Sequence, residues 1–294
     1  MSLFINNRSD FQNLIKHGAD LSRYNYAHGL DLSGLDLDEV DFTDVIMTNI
    51  NFKGTSFCDA TFNGAVLIGV DMSQCDLSRA SFLETDALRC NFEAANLYKA
   101  YMKEARLISS TFEKASLVKV DLSGADLTNT KMRETNLFKG YLHKAVFDHA
   151  DLTKSEIKEA DLTLASLQFA DLTDADLSDS ELKGANLDLS ILKGCNLCDT
   201  NMVSSSLRGV NAISADFRLA KLNKTNFLGA NLTDANLGHT DLTKAEVPNT
   251  NIEGTNFTGV EGLLRLNLST STGGDDIKIK IQSQGSIKRS FFSI

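Results

Sequence analysis

From Leu30 to Val260 one class of residue returns every five positions, and nothing else about this chain narrows its fold so far. The pentads Ala125-Asp126-Leu127-Thr128-Asn129 and Ala230-Asn231-Leu232-Thr233-Asp234 show the pattern. With the third residue taken as the centre, centres run from Leu32, Leu37 and Phe42 to Val247, Ile252 and Phe257, which is 46 in succession without insertion or deletion. Forty-four are Leu, Phe, Met, Ile or Val, and the other two are Ala87 and Ala212. A period of five is neither the two of a half-buried strand nor the 3.6 of an amphipathic helix. A short fixed repeat implies units that bury their apolar side chains only by stacking, so the core extends along one axis.

The other slots follow from that stacking. Two residues before the centre the chain holds Ala, Ser, Thr, Cys or Gly 38 times in 46, and immediately before it Asp 14 times and Asn 13 times. Centre and small residue point inward. The Asp or Asn and the two residues after the centre point outward. Short carboxylates and carboxamides bond nearby backbone amides and so stabilise turns. The first small slots are large instead (Leu30, Leu35, Val40, Val45 and Ile50), which suits an end coil filled beneath a cap.

The run resembles the pentapeptide-repeat family, whose consensus is A(D/N)LXX. The period alone leaves the hand and the number of sides undecided. The resemblance implies an all-β fold, a right-handed quadrilateral parallel β-helix with four pentads to a coil. Forty-six pentads then make about 11–12 coils, and at one strand spacing each the rod is ~55 Å long.

Three segments are expected: a cap over 1–29, the β-helix over 30–260, and a tail over 261–294. In the first, Ser9 or Asp10 caps a short helix from about Phe11 to His17, Gly18 stops it, and Leu14 and Ile15 give its apolar contact. An uncapped first coil would expose a core cross-section and unpaired backbone. In the tail, Leu263–Leu268 closes the last coil. Ile277–Ile281 alternates as a strand and turns at Gln284-Gly285 toward Phe291-Phe292. Such a hairpin either caps the rod or meets a partner, and a terminal segment could pair two copies.

The net charge of −10 argues against unaided binding to nucleic acid or an anionic membrane. No apolar stretch reaches membrane-spanning length and Met1–Arg8 is not a secretory signal, so a cytosolic protein is expected. Cys75, Cys90 and Cys195 occupy the small slot, while Cys58 and Cys198 follow a centre. The two thiols of Cys195-Asn196-Leu197-Cys198 therefore face opposite sides of the wall, and neither metal nor cofactor is expected. The five histidines sit in no nucleophile setting, no phosphate loop occurs, and the clustered carboxylates recur because the repeat requires them. This is not the sequence of an enzyme.

Counterparts four pentads apart form columns. Tyr98, Val118 and Phe138 make one, with Arg79, Lys99, Lys119 and Lys139 beside it. Around the next corner come Tyr101 and Tyr141, then Lys103, His143 and Lys144. Four like charges one strand apart gain nothing for the fold, so these residues read either as a solvated wall or as a partner-binding patch. A second column is Ile68, Leu88 and Ile108, where Leu88 is expected to turn inward beside the small centre Ala87. Charge is banded: residues 30–86 hold 11 acids and 2 bases (−9), 87–144 hold 6 and 10 (+4), 145–200 hold 12 and 4 (−8), and 201–260 hold 5 and 5.

The resemblance implies three functions. The first is a protein-binding or regulatory scaffold acting through the walls, as among cyanobacterial members. The second is imitation of duplex DNA toward DNA gyrase or topoisomerase IV, as in quinolone-resistance members. The third is action as a secreted bacterial effector. The positive band, the uninterrupted pentads and the tail all depart from the gyrase-directed members, which favours the scaffold.

Overall fold

The computed structural model describes residues 3–263 and residue 272. Its organising bond joins the N–H of each centre to the carbonyl of the residue that precedes the centre one coil on: Leu32 to Asn51 at 2.7 Å, Leu37 to Ser56 at 2.8 Å, Phe42 to Thr61 at 2.6 Å. In return that residue's own N–H donates back, as from Asn51 to Leu30 at 3.0 Å. All these ladders are parallel and pair each residue with its counterpart four pentads on, as Asp31 with Asn51 and Ile46 with Val66. Separate ladders start at Asp31, Asp36, Asp41 and Ile46, so the coil is a four-sided parallel β-helix. Only along the fourth ladder do the bridges lengthen into strands, where Ile46–Thr48, Val66–Ile68 and Asp86–Leu88 lie side by side.

Each corner is a tight turn. The small residue donates to the carbonyl of the preceding centre, as Ala60 does to Phe57 at 3.0 Å. The second residue after the centre is left-handed, with φ between 52° and 63° wherever it is not glycine. Its N–H bonds the next coil, as Glu39 bonds Cys58 at 2.8 Å. That accounts for four of the five N–H groups in a pentad. The fifth, on the residue just after the centre, is taken in many pentads by the Asp or Asn just before it: Ser33 to Asp31 at 3.0 Å, Thr43 to Asp41 at 2.9 Å, Lys53 to Asn51 at 3.0 Å; Asn211 is an exception, its side-chain oxygen buried without a partner. Where serine stands in that slot, the acceptor comes from the coil before, as Asp38 serves Cys58, Asn63 serves Leu83 and Asp148 serves Gln168. The acidic repeat is thus a hydrogen-bond requirement of the backbone.

Inside, stacked rings measure the rise directly. Phe42 lies 4.8 Å from Phe62, Phe62 lies 4.7 Å from Phe82, and Phe92 lies 4.8 Å from Phe112, all within 9° of parallel. These are the spacings of hydrogen-bonded strands. Serine and threonine in the small slot bond a core-side carbonyl, as Thr85 bonds Phe62 at 2.7 Å, with Ser190 an exception.

At the N-terminus one expectation is corrected and two features are added. The helix runs Arg8–Lys16 and its cap is Asn7, whose side chain accepts from the Asp10 N–H at 2.9 Å, so neither Ser9 nor Asp10 begins it. The plug is Phe11, fully buried and set 6.4 Å from Phe42, while Leu14 and Ile15 are half-buried beside it. The cap also contains a parallel pair, β1 (Leu3–Ile5) against β2 (Tyr24–Tyr26), which extends the backbone pairing beyond the first coil. A second correction concerns Leu88, which stays half-exposed while Ala87 is fully buried. Register explains it: Ala87 pairs with Leu67 and its N–H is held by Arg106 at 2.8 Å, so the wall cannot rotate by one residue. Phe82 and Phe92 meet edge to face at 6.1 Å across this coil and occupy the width a longer centre would take.

At the far end Val260 and Leu263 pack half-buried on the core and Thr272 continues a ladder on Asn251. The expected closing segment beyond Leu263 and the expected hairpin lie outside the described residues. Phe11→Ala removes the plug at the position where no further coil can compensate. We expect it to lower stability by about 3–5 kcal/mol, as for other large buried rings, measured from the urea midpoint with the slope unchanged.

Candidate functional site

The columns expected from sequence are formed. Lys99, Lys119 and Lys139 stand at one corner, one coil apart, each left-handed with φ of 56° to 59°. Tyr98, Val118 and Phe138 precede them and are half-buried, and the lysine ammonium groups fold back over the rings, Lys99 5.3 Å from the Tyr98 centroid and Lys139 5.0 Å from that of Phe138. Both ends of the column are neutralised. Arg79 grips Asp59 with Nε at 2.8 Å and Nη2 at 2.5 Å, and Lys139 pairs with Glu159 at 3.1 Å. Arg79 thus turns to the coil before it. Lys99 and Lys119 have no carboxylate partner among the described residues.

On the adjoining face Tyr101 and Tyr141 are 57% and 59% exposed, on either side of Asp121, which bridges both. Both tyrosines occupy the slot that in 27 of 46 pentads holds the Asp or Asn of the turn. Asp121 fills that role for Ser123 at 3.0 Å, whereas among the described residues no side chain accepts from the N–H of Lys103 or His143. Lys103 meets Glu104 at 3.8 Å, His143 is half-buried and Lys144 is exposed. The site is a corner and its adjoining face. It offers two exposed phenols, two ammonium groups without a carboxylate partner among the described residues, and half-buried rings, a composition that suits contact with a protein surface.

Sequence reasoning missed a second feature. Leu164, Phe169, Leu189 and Leu219 occupy the left-handed corner slot and are about half exposed. The signal was present in the sequence, because that slot otherwise holds Gly, Asn, Asp and other polar or small residues.

The cysteines separate as their slots require. Cys75, Cys90 and Cys195 are buried, and Cys75 donates to the Phe52 carbonyl at 3.0 Å. Cys58 and Cys198 lie on the wall, so the C-x-x-C pair straddles it. Burial pushes the Cys75 and Cys90 thiols up to about 12 and raises Cys195 as well.

The profile of pentapeptide repeats matches residues 36–168 and 190–259. Among solved structures, trypsin-treated QnrB1, a plasmid-mediated fluoroquinolone resistance protein, superposes with a TM-score of 0.51 at 17% identity, over 68% of this chain and 98% of that one. HetL, a pentapeptide repeat protein involved in heterocyst differentiation regulation in the cyanobacterium Nostoc, gives 0.24 at 21% identity over 84% and 97%. A pentapeptide repeat protein of the Arabidopsis thaliana thylakoid lumen gives 0.32 at 26% identity over 33% and 67%. No curated protein matches this sequence. At these identities the likeness to QnrB1 is one of fold.

The buried thiols make stability depend on pH. Their folded pKa values stand above that of a free thiol, near 8.5, so on raising pH the unfolded chain loses these protons first. Their contribution is complete below about pH 8.5 and declines above it. Between pH 8 and pH 10 we expect the wild-type melting temperature to fall further than that of the Cys75→Ala/Cys90→Ala/Cys195→Ala variant, by differential scanning fluorimetry. Parallel declines would contradict it.

Proposed function

Because the chain belongs to the pentapeptide-repeat family, we propose that it is a non-enzymatic binding protein, a right-handed quadrilateral rod that captures a partner protein on its walls. The observation that carries this reading is the pair Tyr101 and Tyr141. Each stands where the repeat calls for Asp or Asn, and each forgoes a turn hydrogen bond of about 1 kcal/mol. The fold gains nothing in exchange, since both rings are more than half exposed. Tyrosine with neighbouring cations is the composition of binding hot spots. Lys99 and Lys119 lie one corner away and are free of carboxylates among the described residues, so the surface they favour is acidic.

The same edge favours protein capture over imitation of duplex DNA, the reading suggested by the fluoroquinolone resistance of QnrB1. A duplex presents negative charge along its whole length. Here a segment of net +4 separates segments of −9 and −8, and it coincides with the exposed tyrosines.

Tyr101→Asn and Tyr141→Asn restore the repeat's acceptor, and Lys99→Glu inverts the corner. Together they are expected to leave the melting temperature unchanged or raised, and to reduce capture of partner proteins from the source organism's lysate at least tenfold, by quantitative mass spectrometry. Unaltered capture would make the edge a solvated wall. Inhibition of gyrase supercoiling by the wild type, retained in the triple variant, would favour the mimic instead.

A further inference from the structure

We propose that the opposite edge of the rod is a second docking site, built on Phe169, Leu189 and Ile191, whose occupant is a basic amphipathic segment of a partner protein. The inference starts from local rules that neighbouring residues break. The corner slot is left-handed and, apart from Leu164 and Leu219, otherwise holds glycine or polar or small residues, so a bulky apolar side chain there departs from the pattern. Phe169 and Leu189 hold φ of 59° and 61° on one corner, one coil apart. Both side chains remain about half exposed, at 48% and 53%. Two residues on from Leu189, Ile191 takes the slot of the turn acceptor and is 38% exposed. Among the described residues no side chain then accepts from the Lys193 N–H.

These departures are contiguous. Phe169 stacks on His149 at 4.7 Å and 2°, which extends the ridge one coil toward the N-terminus. Leu189 leans over Gly209 in the next coil, where an added Cβ would lie 2.7 Å from Cδ2. Ile191 bridges Asp171 on one side and Asn211 on the other. The result is a flat apolar strip about two coil spacings long, ~10 Å. It is too small for a stable homodimer face and large enough for one helical or extended anchor.

Charge selects the occupant. The strip lies in the band of 12 acids and 4 bases. Its flanks carry Asp148, Asp151, Asp171, Asp174 and Asp188 against Lys154 and Lys193. Arg133 and Arg208 approach Asp151 and Asp188 at 3.5 and 3.9 Å, while Asp171 and Asp174 have no cationic partner among the described residues. An apolar strip beside unpaired carboxylates fits a segment with apolar residues on one face and Lys or Arg on the next. The corner of Lys99 and Lys119 is offset by two pentads in a coil of four, so the two edges are diagonally opposite and are open to different partners at once.

The probes are two fluorescein-labelled 18-residue amphipathic helices with the same leucine face, one with lysine and one with glutamate on the polar face, read by fluorescence anisotropy on the full chain. The lysine peptide is expected to bind and the glutamate peptide to bind at least tenfold more weakly. Phe169→Asn, Leu189→Asn and Ile191→Asn together keep every charge and restore both local rules. That variant is expected to match or exceed the wild-type melting temperature while weakening the lysine peptide at least tenfold. Lys99→Glu with Lys119→Glu leaves this peptide unaffected, which separates the site from the other edge. Equal binding to wild type and the asparagine variant would show mere charge attraction and overturn the proposal. So would equal binding of both peptides, or a concentration-dependent wild-type dimer that the variant abolishes in sedimentation, since the occupant would then be a second copy.

Discussion

The hydrogen bond from each centre to the carbonyl that precedes the next coil's centre governs the rest of the molecule. It sets the coil at four pentads and brings identical slots into columns. Adjacent coils then sit at one strand spacing, which the phenylalanine stacks record as 4.7–4.8 Å. The small residue before each centre follows, because four walls that close have little interior width left at the corners. The left-handed corner follows too, because the chain must change direction within one pentad and still aim its next N–H along the axis. One donor per pentad remains, and the Asp or Asn accepts it. A sequence that keeps these five conditions forms this rod, and one inserted residue would shift every later column.

Much of this was legible in the sequence because each slot's chemistry answers a separate physical demand. Inward centres, the small slot, the turn-stabilising carboxylates and the split of the five cysteines all follow from the period. The number of sides does not, since five-residue units close equally well on paper with three or four to a coil. That came from the family resemblance, and in the structure it appears as the four-pentad step of the ladders. The cap was read only in part. A helix near Phe11 shows in composition, but β1 and β2 are three-residue stretches that pair across the whole helix between them, and nothing local announces it. Asn7 was missed because Ser9 and Asp10 offer equally plausible caps, and only the backbone decides which one accepts.

The candidate sites show the same division in a sharper form. The cationic corner was visible because lysines and aromatic residues recur at steps of four pentads. Their engagement was not. Arg79 and Lys139 belong to the column by sequence, yet they meet Asp59 and Glu159 in the structure, because a long cationic side chain reaches a neighbouring coil as readily as solvent. The apolar ridge was hidden for a different reason. A leucine after a centre reads as an unremarkable outward residue until the fifth slot is known to be left-handed. After that it stands out, since the other residues in that slot are glycine or polar or small.

Departures from the repeat are therefore more informative than agreement with it. In a solenoid each coil touches only its neighbours, so an unfavourable slot is not compensated far away and persists only if something outside the rod repays it. The two sets of departures lie on diagonally opposite edges and at different heights. Ten pentads, or two and a half coils, separate Lys119 from Phe169, an axial offset of ~12 Å. A core of interlocked rings and leucines has no hinge to carry a conformational signal between such edges. Coupling between partners bound there would have to be geometric. The rod would fix how far apart they sit and how they are turned, and its stiffness would be the property on which that role depends.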